Sequence, residues 1–136
     1  MVKLIIGGTG SGKTKEIVDQ VNAAVKEEKG SVVCISRGNK LTFDVSHDAR
    51  LSDATDYPIK DYESLLGFVC GIHAGNYDIT RVFIDSLYKI AGIKDVAKAE
   101  EFLNKLEKFS EQHSVNFTVA LSAVSYTHLR AHERFL

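Results

Sequence analysis

Residues 7–14 read GGTGSGKT and lie between a short apolar run and a segment with helical periodicity. The stretch fits G-x-x-x-x-G-K-[ST] at every fixed position. Its glycines lack Cβ atoms, so the backbone can adopt left-handed conformations that turn successive N–H groups inward around an anion. The helix that follows would add the positive end of its dipole. The sequence therefore predicts a strand, an anion-binding loop and a helix, in that order.

The motif resembles the Walker A motif, or P-loop, of the P-loop NTPases, which occurs in this strand-loop-helix context. The resemblance implies that Lys13 reaches the β- and γ-phosphates of a nucleotide and that the Thr14 hydroxyl ligates Mg²⁺. The nucleotide-binding residues predicted in the loop are Gly7, Gly8, Thr9, Gly10, Ser11, Gly12, Lys13 and Thr14. A glycine-rich turn that only connects a strand to a helix is the alternative.

The composition is that of one globular domain. The chain has 136 residues, of which 44% are apolar and 26% charged, enough for a single core and too few for two. No apolar run approaches the roughly 18 residues of a membrane span, and glycine follows the first apolar run too soon for a secretory signal. We therefore expect a cytoplasmic protein without a membrane span. The net charge of −1 gives no indication of nucleic-acid binding.

The apolar periodicity predicts an alternation of strands and helices. Strands are predicted at residues 2–6, 31–36, 80–85 and 115–121, and helices at residues 12–28, 61–74 and 94–113. Continuous apolar runs such as SVVCIS at residues 31–36 are typical of strands that are buried on both faces of a parallel sheet. We therefore predict an α/β fold of the P-loop NTPase type, with three α/β/α layers and a mostly parallel sheet of about four strands.

Residues 37–60 form a long polar segment without a helical period. Two short extended pieces, at residues 41–45 and 50–53, indicate a hairpin across residues 46–49. The segment leaves the carboxyl end of the second strand, where open α/β sheets bind ligands. We interpret it as a substrate or effector loop. A solvated excursion without ligand contact is the alternative.

Three glycines lie four residues apart in and just beyond the predicted helix at residues 61–74, namely Gly67, Gly71 and Gly75. Each glycine costs a helix about 1 kcal/mol relative to alanine, so a smooth stripe of them indicates close approach of another backbone. We expect this stripe to pack on the sheet, because a parallel sheet must be covered. Docking of a partner protein, or self-association through this helix, is the alternative.

A second motif lies in the third predicted strand. Residues 80–85 read TRVFID, an apolar strand that ends in a carboxylate, and they resemble a Walker B motif. The resemblance implies that Asp85 holds a water on the P-loop Mg²⁺. Thr14 and Asp85 are therefore the predicted metal-site residues, and Lys13 and Asp85 the predicted catalytic residues.

The order of elements resembles the P-loop group that inserts a further strand between those that carry Walker A and Walker B. In that group a polar residue at the tip of the inserted strand senses the γ-phosphate, and Ser122 occupies the matching position. The group usually places a catalytic glutamate directly after the Walker B aspartate, where this chain has Ser86. The resemblance therefore implies nucleotide binding with slow hydrolysis.

The motifs favour ATP over GTP, so ATP and Mg²⁺ are the predicted cofactors. The guanine motif N-K-x-D is incomplete, because Asn39 and Lys40 are followed by Leu41 and Thr42. Arg37, just past the second strand, is the only arginine that we nominate as a phosphate contact. An exposed loop arginine is the alternative for that residue.

Residues 1–123 resemble small bacterial P-loop ATP-binding proteins, some of which carry a twitching-motility ATPase label. Residues 124–136 differ, because SYTHLRAHERFL continues neither a strand nor a helix and resembles translated adaptor sequence. We therefore predict a nucleotide-binding domain at residues 1–123 and a non-native tail at 124–136, which would leave the fold truncated at its C-terminus. A metal site at His128 and His132, four residues apart, is the alternative for the tail.

Three functions are consistent with these motifs. The first is an ATP- and Mg²⁺-binding protein whose ATP hydrolysis is slow or stimulated by a partner. The second is a nucleotide or small-molecule kinase in which Asp44, Asp48 or Asp53 acts as the base. The third is a non-catalytic, nucleotide-gated interaction module that docks through the glycine stripe.

Overall fold

The computed structural model describes residues 1–7, 13–42, 44–122 and 133–135. The strands are β1 (Val2–Gly7), β2 (Ser31–Ser36), β3 (Ala49–Asp53), β4 (Ile79–Ile84), β5 (Asn116–Ser122) and β6 (Glu133–Phe135). The helices are α1 (Lys13–Glu27), α2 (Tyr62–Gly75), α3 (Leu87–Ala91) and α4 (Val96–His113), with a 3₁₀ turn at Ala54–Asp56. Among the residues described, no helix combines the length and apolar content needed to cross a membrane.

The six strands form one parallel sheet in the order β3-β2-β4-β5-β1-β6. The predicted strands correspond to β1, β2, β4 and β5, which form the centre of this sheet. β5 lies between β1 and β4, so the predicted insertion of a strand between those that carry the two motifs is confirmed. The predicted α/β fold with a parallel sheet is confirmed as well.

Two apolar clusters cover the two faces of the sheet. Successive strand residues alternate between them, since side chains along a strand point to opposite faces. Ile5, Cys34 and Phe83 pack on one face with Ile17 and Val21 of α1. Their strand neighbours pack on the other face with α2, α3 and α4, and include Leu4, Ile6, Val33, Ile35, Val82 and Ile84. The helices therefore lie in two layers around the sheet, as predicted.

The segment after β2 differs from its prediction. Residues 50–53 belong to a strand that pairs with β2 in parallel, with Ser36 opposite Asp53, so the predicted hairpin across residues 46–49 is wrong. Leu41 and Val45 lie in turns and are buried against the α1 face of the sheet. A strand parallel to β2 needs a crossover before it, and residues 37–48 supply this connection.

The structure differs from the predicted helices in two ways: α4 begins two residues later than predicted, and a short helix, α3, is added. α4 begins after Asp95, whose side chain accepts a hydrogen bond from the backbone N–H of Lys98. The short helix α3, between Ser86 and Gly92, was not predicted. Both flanking residues have positive φ, of 64° at Ser86 and 75° at Gly92, so the chain turns sharply at each end of α3.

The glycine stripe of α2 faces away from the sheet. Leu65, Val69 and His73 form the buried face of this helix. A Cβ atom added at Gly67, Gly71 or Gly75 would meet no atom within 4 Å. The expected packing of the stripe on the sheet is therefore wrong, and the face that carries it lies open.

The tail contributes the edge strand β6, in which Glu133, Arg134 and Phe135 pair in parallel with Lys3, Leu4 and Ile5. The expectation that the tail continues no strand is wrong for these three residues. His128 and His132 lie outside the described residues. The assignment of residues 1–123 to the domain and of 124–136 to a non-native tail stays a prediction.

Candidate functional site

The predicted site residues lie at the carboxyl edge of the parallel sheet. Gly7 at the end of β1 is in register with Ser122 at the end of β5. Asp85 follows β4, the other neighbour of β5. Gly8, Thr9, Gly10, Ser11 and Gly12 lie outside the described residues. The structure thus brings Gly7, Ser122 and Asp85 to one edge, where open α/β sheets bind their ligands.

Lys13 and Thr14 begin the helix that follows the motif. The Nζ atom of Lys13 donates a hydrogen bond to the carbonyl oxygen of Gly7 over 2.7 Å, which links the start of α1 to the end of β1. Thr14 is half-buried in the first turn of α1. The backbone N–H groups of a first helical turn have no partner within the helix and attract anions. Lys13 and Thr14 therefore lie in the first turn of α1, and their roles in binding phosphate and metal stay predictions.

Asp85 is the buried carboxylate of this edge, with 1% of its surface exposed. Its Oδ1 atom accepts a hydrogen bond from the Ser86 hydroxyl over 3.4 Å, whereas its Oδ2 atom is buried without a hydrogen-bond partner among the residues that the structure describes. Burial raises the pKa of Asp85. The positive charge of Lys40, the Ser86 hydrogen bond and the charges of Lys89 and Lys13 oppose that rise.

The residues at this edge fit a Mg²⁺ ion. A buried carboxylate oxygen without a donor is costly to keep, and a cation or a cation-bound water would satisfy it. The Thr14 hydroxyl and the Asp85 carboxylate are both oxygen ligands, which Mg²⁺ prefers. The charge of Lys13 acts on Asp85, so the two motifs interact electrostatically at this edge.

Ser86 stands where the P-loop group that the sequence resembles usually carries a glutamate, and its backbone geometry is unusual. Its φ and ψ of 64° and 65° lie in the left-handed region, a backbone conformation that residues other than glycine, asparagine and aspartate adopt rarely. Its hydroxyl donates to Asp85. A neutral serine hydroxyl supplies no general base to activate a water, because its oxygen accepts a proton far less readily than a carboxylate does.

Asp53 has a structural role at the start of the 3₁₀ turn. Its Oδ1 atom accepts hydrogen bonds from the backbone N–H of Gly38 over 2.8 Å and from the N–H and hydroxyl of Thr55 over 2.9 and 2.7 Å. These Thr55 and Gly38 hydrogen bonds lower the pKa of Asp53, and the charge of Arg37 lowers it further. Arg37 is exposed and acts on Asp53, which favours the alternative of a loop arginine.

Lys40 is a further residue of this edge, and in the sequence it belongs to an incomplete guanine motif. Among the charged groups that favour the ionised form of Asp85, it has the largest effect, ahead of Lys89 and Lys13. Its position four residues past the end of β2, on the ligand-binding side of the sheet, was the signal that could have identified it.

Comparison with solved structures shows the fold of the chain. One match is the crystal structure of a KaiC-like protein from the hyperthermophilic archaeon Pyrococcus horikoshii OT3, with a TM-score of 0.63 and 20% sequence identity. The match covers 90% of this chain and 61% of that chain, so this chain spans less than two thirds of the archaeal structure. No protein-family profile and no curated protein matches the sequence. At this identity the likeness shows the fold alone, an α/β fold with a parallel sheet.

Proposed function

We propose that the protein binds ATP and Mg²⁺ through its P-loop and hydrolyses ATP slowly, or only when a partner stimulates it. One observation carries the proposal: within the described part of the chain, the Oδ2 atom of Asp85 is buried without a hydrogen-bond partner, at the edge where Lys13 begins α1. Both residues belong to the motifs that, in sequence, resemble Walker A and Walker B. This function requires a compartment that contains ATP, and we propose the cytoplasm.

Each residue of the edge has a role in this proposal. The backbone of residues 7–12 surrounds the phosphates, and Lys13 binds the β- and γ-phosphates. Thr14 and Asp85 hold Mg²⁺, Asp85 through a water. Ser122, in register with Gly7, contacts the γ-phosphate from the tip of β5. The bound ion supplies positive charge that neutralises the phosphate oxygens during transfer.

Slow hydrolysis follows from the residue at position 86. A P-loop ATPase needs a group that orients or deprotonates the attacking water, and Ser86 is bonded to Asp85 instead. The remaining interactions bind the nucleotide without activating water. A partner that inserts a carboxylate or a cation at this edge would raise the rate.

Calorimetric titration with ATP and Mg²⁺ tests the binding. We expect saturable heat in the wild type and a loss of most of it in Lys13→Ala. Lys15→Ala is the matched control, because Lys15 is exposed two residues along the same helix and pairs only weakly with Asp19 over 3.7 Å at the surface. Equal heats in the wild type and in Lys13→Ala would rule the function out.

The kinase alternative is weakened at one of its three candidate bases. Asp53 already accepts three hydrogen bonds from Gly38 and Thr55, so it has little capacity to take a proton from an acceptor. Asp44 and Asp48 are exposed. Phosphate release without an added acceptor supports the ATPase, whereas ADP formation that depends on an acceptor supports the kinase.

A nucleotide-gated interaction module is the second candidate, and the open face of α2 favours it. A Cβ atom at Gly67, Gly71 or Gly75 would meet no atom of the described residues within 4 Å, so another helix or a second subunit could approach the backbone of α2 closely. We expect Gly71→Leu to abolish association, measured by analytical ultracentrifugation, and to leave ATP affinity unchanged. A variant that associates as the wild type does would rule this surface out.

A further inference from the structure

Lys40 lies in the turn that follows β2, and β2 is the strand beside Asp85. The backbone N–H of Asp85 donates to the carbonyl oxygen of Ile35 over 2.9 Å, so the chain leaves β2 directly alongside the buried carboxylate. Along the sheet, Lys13 follows β1, Ser122 ends β5, Asp85 follows β4 and Lys40 follows β2. Lys40 therefore approaches Asp85 from the side opposite to the P-loop.

The turn that carries Lys40 is anchored on both sides. Before it, Gly38 adopts a φ of 95° and its N–H is bound by Asp53. After it, Leu41 is 1% exposed and packs in the core beneath α1. These two anchors flank Lys40 at short range, which limits where its Cα atom can lie.

A further link fixes the same segment to the helix of the P-loop. The side-chain amide of Asn22, in α1, donates to the carbonyl oxygen of Asp44 over 3.0 Å and accepts from the N–H of Ser46 over 2.8 Å. The segment after β2 is thus anchored to α1. A lysine held in this way loses less freedom on binding a ligand than one on a mobile loop.

Lys40 and the proposed Mg²⁺ ion would both interact with the negative charge of Asp85. Lys40 is exposed, and its positive charge favours the ionised form of Asp85. A Mg²⁺ ion held by Thr14 and Asp85 would balance the charge of Asp85, so the cation of Lys40 would remain available to a phosphate. In a triphosphate bound at the end of β1 and directed along the sheet towards β4, the terminal phosphate would lie nearest to Lys40.

We propose that Lys40 binds the terminal phosphate of the nucleotide and so makes the site prefer a nucleoside triphosphate to a diphosphate. The proposal rests on the proposed function, because it requires a nucleotide on the P-loop. Lys13 and the loop backbone would bind both nucleotides, whereas Lys40 would contact only the longer one.

The experiment measures ATP and ADP affinities, each with Mg²⁺, by calorimetry on the full chain. The wild type is compared with Lys40→Ala, Lys40→Arg and Lys89→Ala. Lys89 is the matched control, because it is an exposed lysine on α3 whose charge also acts on Asp85. We expect Lys40→Ala to lower the affinity for ATP about tenfold, which corresponds to the loss of one charge-assisted hydrogen bond. The affinity for ADP should fall less than about twofold. Lys40→Arg should retain most of the preference, and Lys89→Ala all of it.

The possible results distinguish an error in the role of Lys40 from an error in the proposed function. If Lys40→Ala weakens ATP and ADP equally, or weakens neither, the role of Lys40 is wrong while the proposed function stands. The same conclusion follows if Lys89→Ala and Lys40→Ala have equal effects, since the effect would then come from net charge alone. If the wild type binds neither nucleotide, or Lys13→Ala binds both as the wild type does, the proposed function fails and the role of Lys40 fails with it.

Discussion

The Nζ atom of Lys13 and the carbonyl oxygen of Gly7 are joined by a hydrogen bond of 2.7 Å. Gly7 ends β1 and Lys13 begins α1, so the bond connects the two elements that flank the glycine-rich motif. A carbonyl oxygen is a weaker acceptor for an ammonium group than a phosphate is. We therefore expect the lysine to exchange this partner for phosphate when a nucleotide binds.

Lys13→Ala should separate binding from folding. Removing one hydrogen bond of a half-buried side chain should lower the free energy of unfolding by about 1 kcal/mol. Removing the charged phosphate contact should lower the affinity for ATP by about tenfold to a hundredfold. Thermal unfolding with and without ATP and Mg²⁺ measures both effects, because a ligand that binds only the folded protein raises its melting temperature. Equal ATP-induced shifts in Lys13→Ala and in the control Lys15→Ala would contradict this assignment.

Asp85→Asn should stabilise the metal-free protein while it weakens the binding of ATP with Mg²⁺. An ionised carboxylate with a buried, unpartnered oxygen costs about 1–3 kcal/mol, and a neutral amide in its place is cheaper to bury. The loss of attraction to Lys40 subtracts from that gain, so we expect a net increase in the free energy of unfolding of about 1 kcal/mol. Urea denaturation without Mg²⁺ measures the first effect, and calorimetry with Mg²⁺ and ATP the second.

The control for Asp85→Asn is Asp48→Asn, at an exposed aspartate of the segment before β3. It removes the same charge without uncovering a buried group, so stability and ATP affinity should both stay unchanged. Loss of stability in Asp85→Asn would show that the carboxylate has partners that satisfy it in the folded protein. The proposed competition between stability and metal binding at this residue would then be wrong.

The central strands could be predicted because their signal is local. SVVCIS at β2 is apolar throughout, and its predicted bounds match Ser31–Ser36. β3 reads ARLSD, and its parallel pairing with β2 depends on a connection that no short pattern encodes. For the same reason Lys40 was missed. What brings it to Asp85 is the adjacency of β2 and β4 together with the burial of Leu41, and both are tertiary facts.

The glycine stripe shows a different limit. Its spacing predicted correctly that the three residues share one face of α2, yet it could not tell which face meets the sheet. The larger apolar residues Leu65 and Val69 decide the orientation, because burying them contributes more free energy than burying glycine. A stripe of small residues predicts a smooth surface, and the rest of the helix determines where that surface points.

Gly71→Ala should stabilise the monomer. A Cβ atom at this position meets nothing within 4 Å, and alanine in a helix interior is favoured over glycine by about 0.5–1 kcal/mol. Gly30→Ala is the opposing control, because a Cβ atom there would clash with the carbonyl oxygen of Asp78 and the side chain of Thr80. Chemical denaturation at low protein concentration measures both. A loss of stability in Gly71→Ala would indicate that the stripe is already packed against another chain.

The free energy of unfolding should decrease as the pH falls below neutrality, and His73 contributes to this decrease. This residue packs against His113, Phe109 and Tyr77, with ring centroids 4.7, 5.3 and 5.6 Å away. Burial, and then the charge of His113, lowers the pKa of His73 from its ordinary 6.5. The unfolded chain therefore binds the proton more tightly than the folded one, so the contribution of His73 is fully present above about pH 6.5 and is lost as pH falls below it.

His73→Phe should flatten that dependence, since phenylalanine keeps the ring contacts and removes the proton site. Urea denaturation at several pH values between about 5 and 7 measures the slope, well above the range in which ordinary carboxylates titrate. His47→Gln is the control, because it removes an exposed histidine from the segment before β3 and should leave the slope unchanged. If His73→Phe retains the full slope of the free energy of unfolding against pH while His47→Gln reduces it, the pH dependence arises elsewhere. Protonation of His73 between α2 and α4 would then not affect stability.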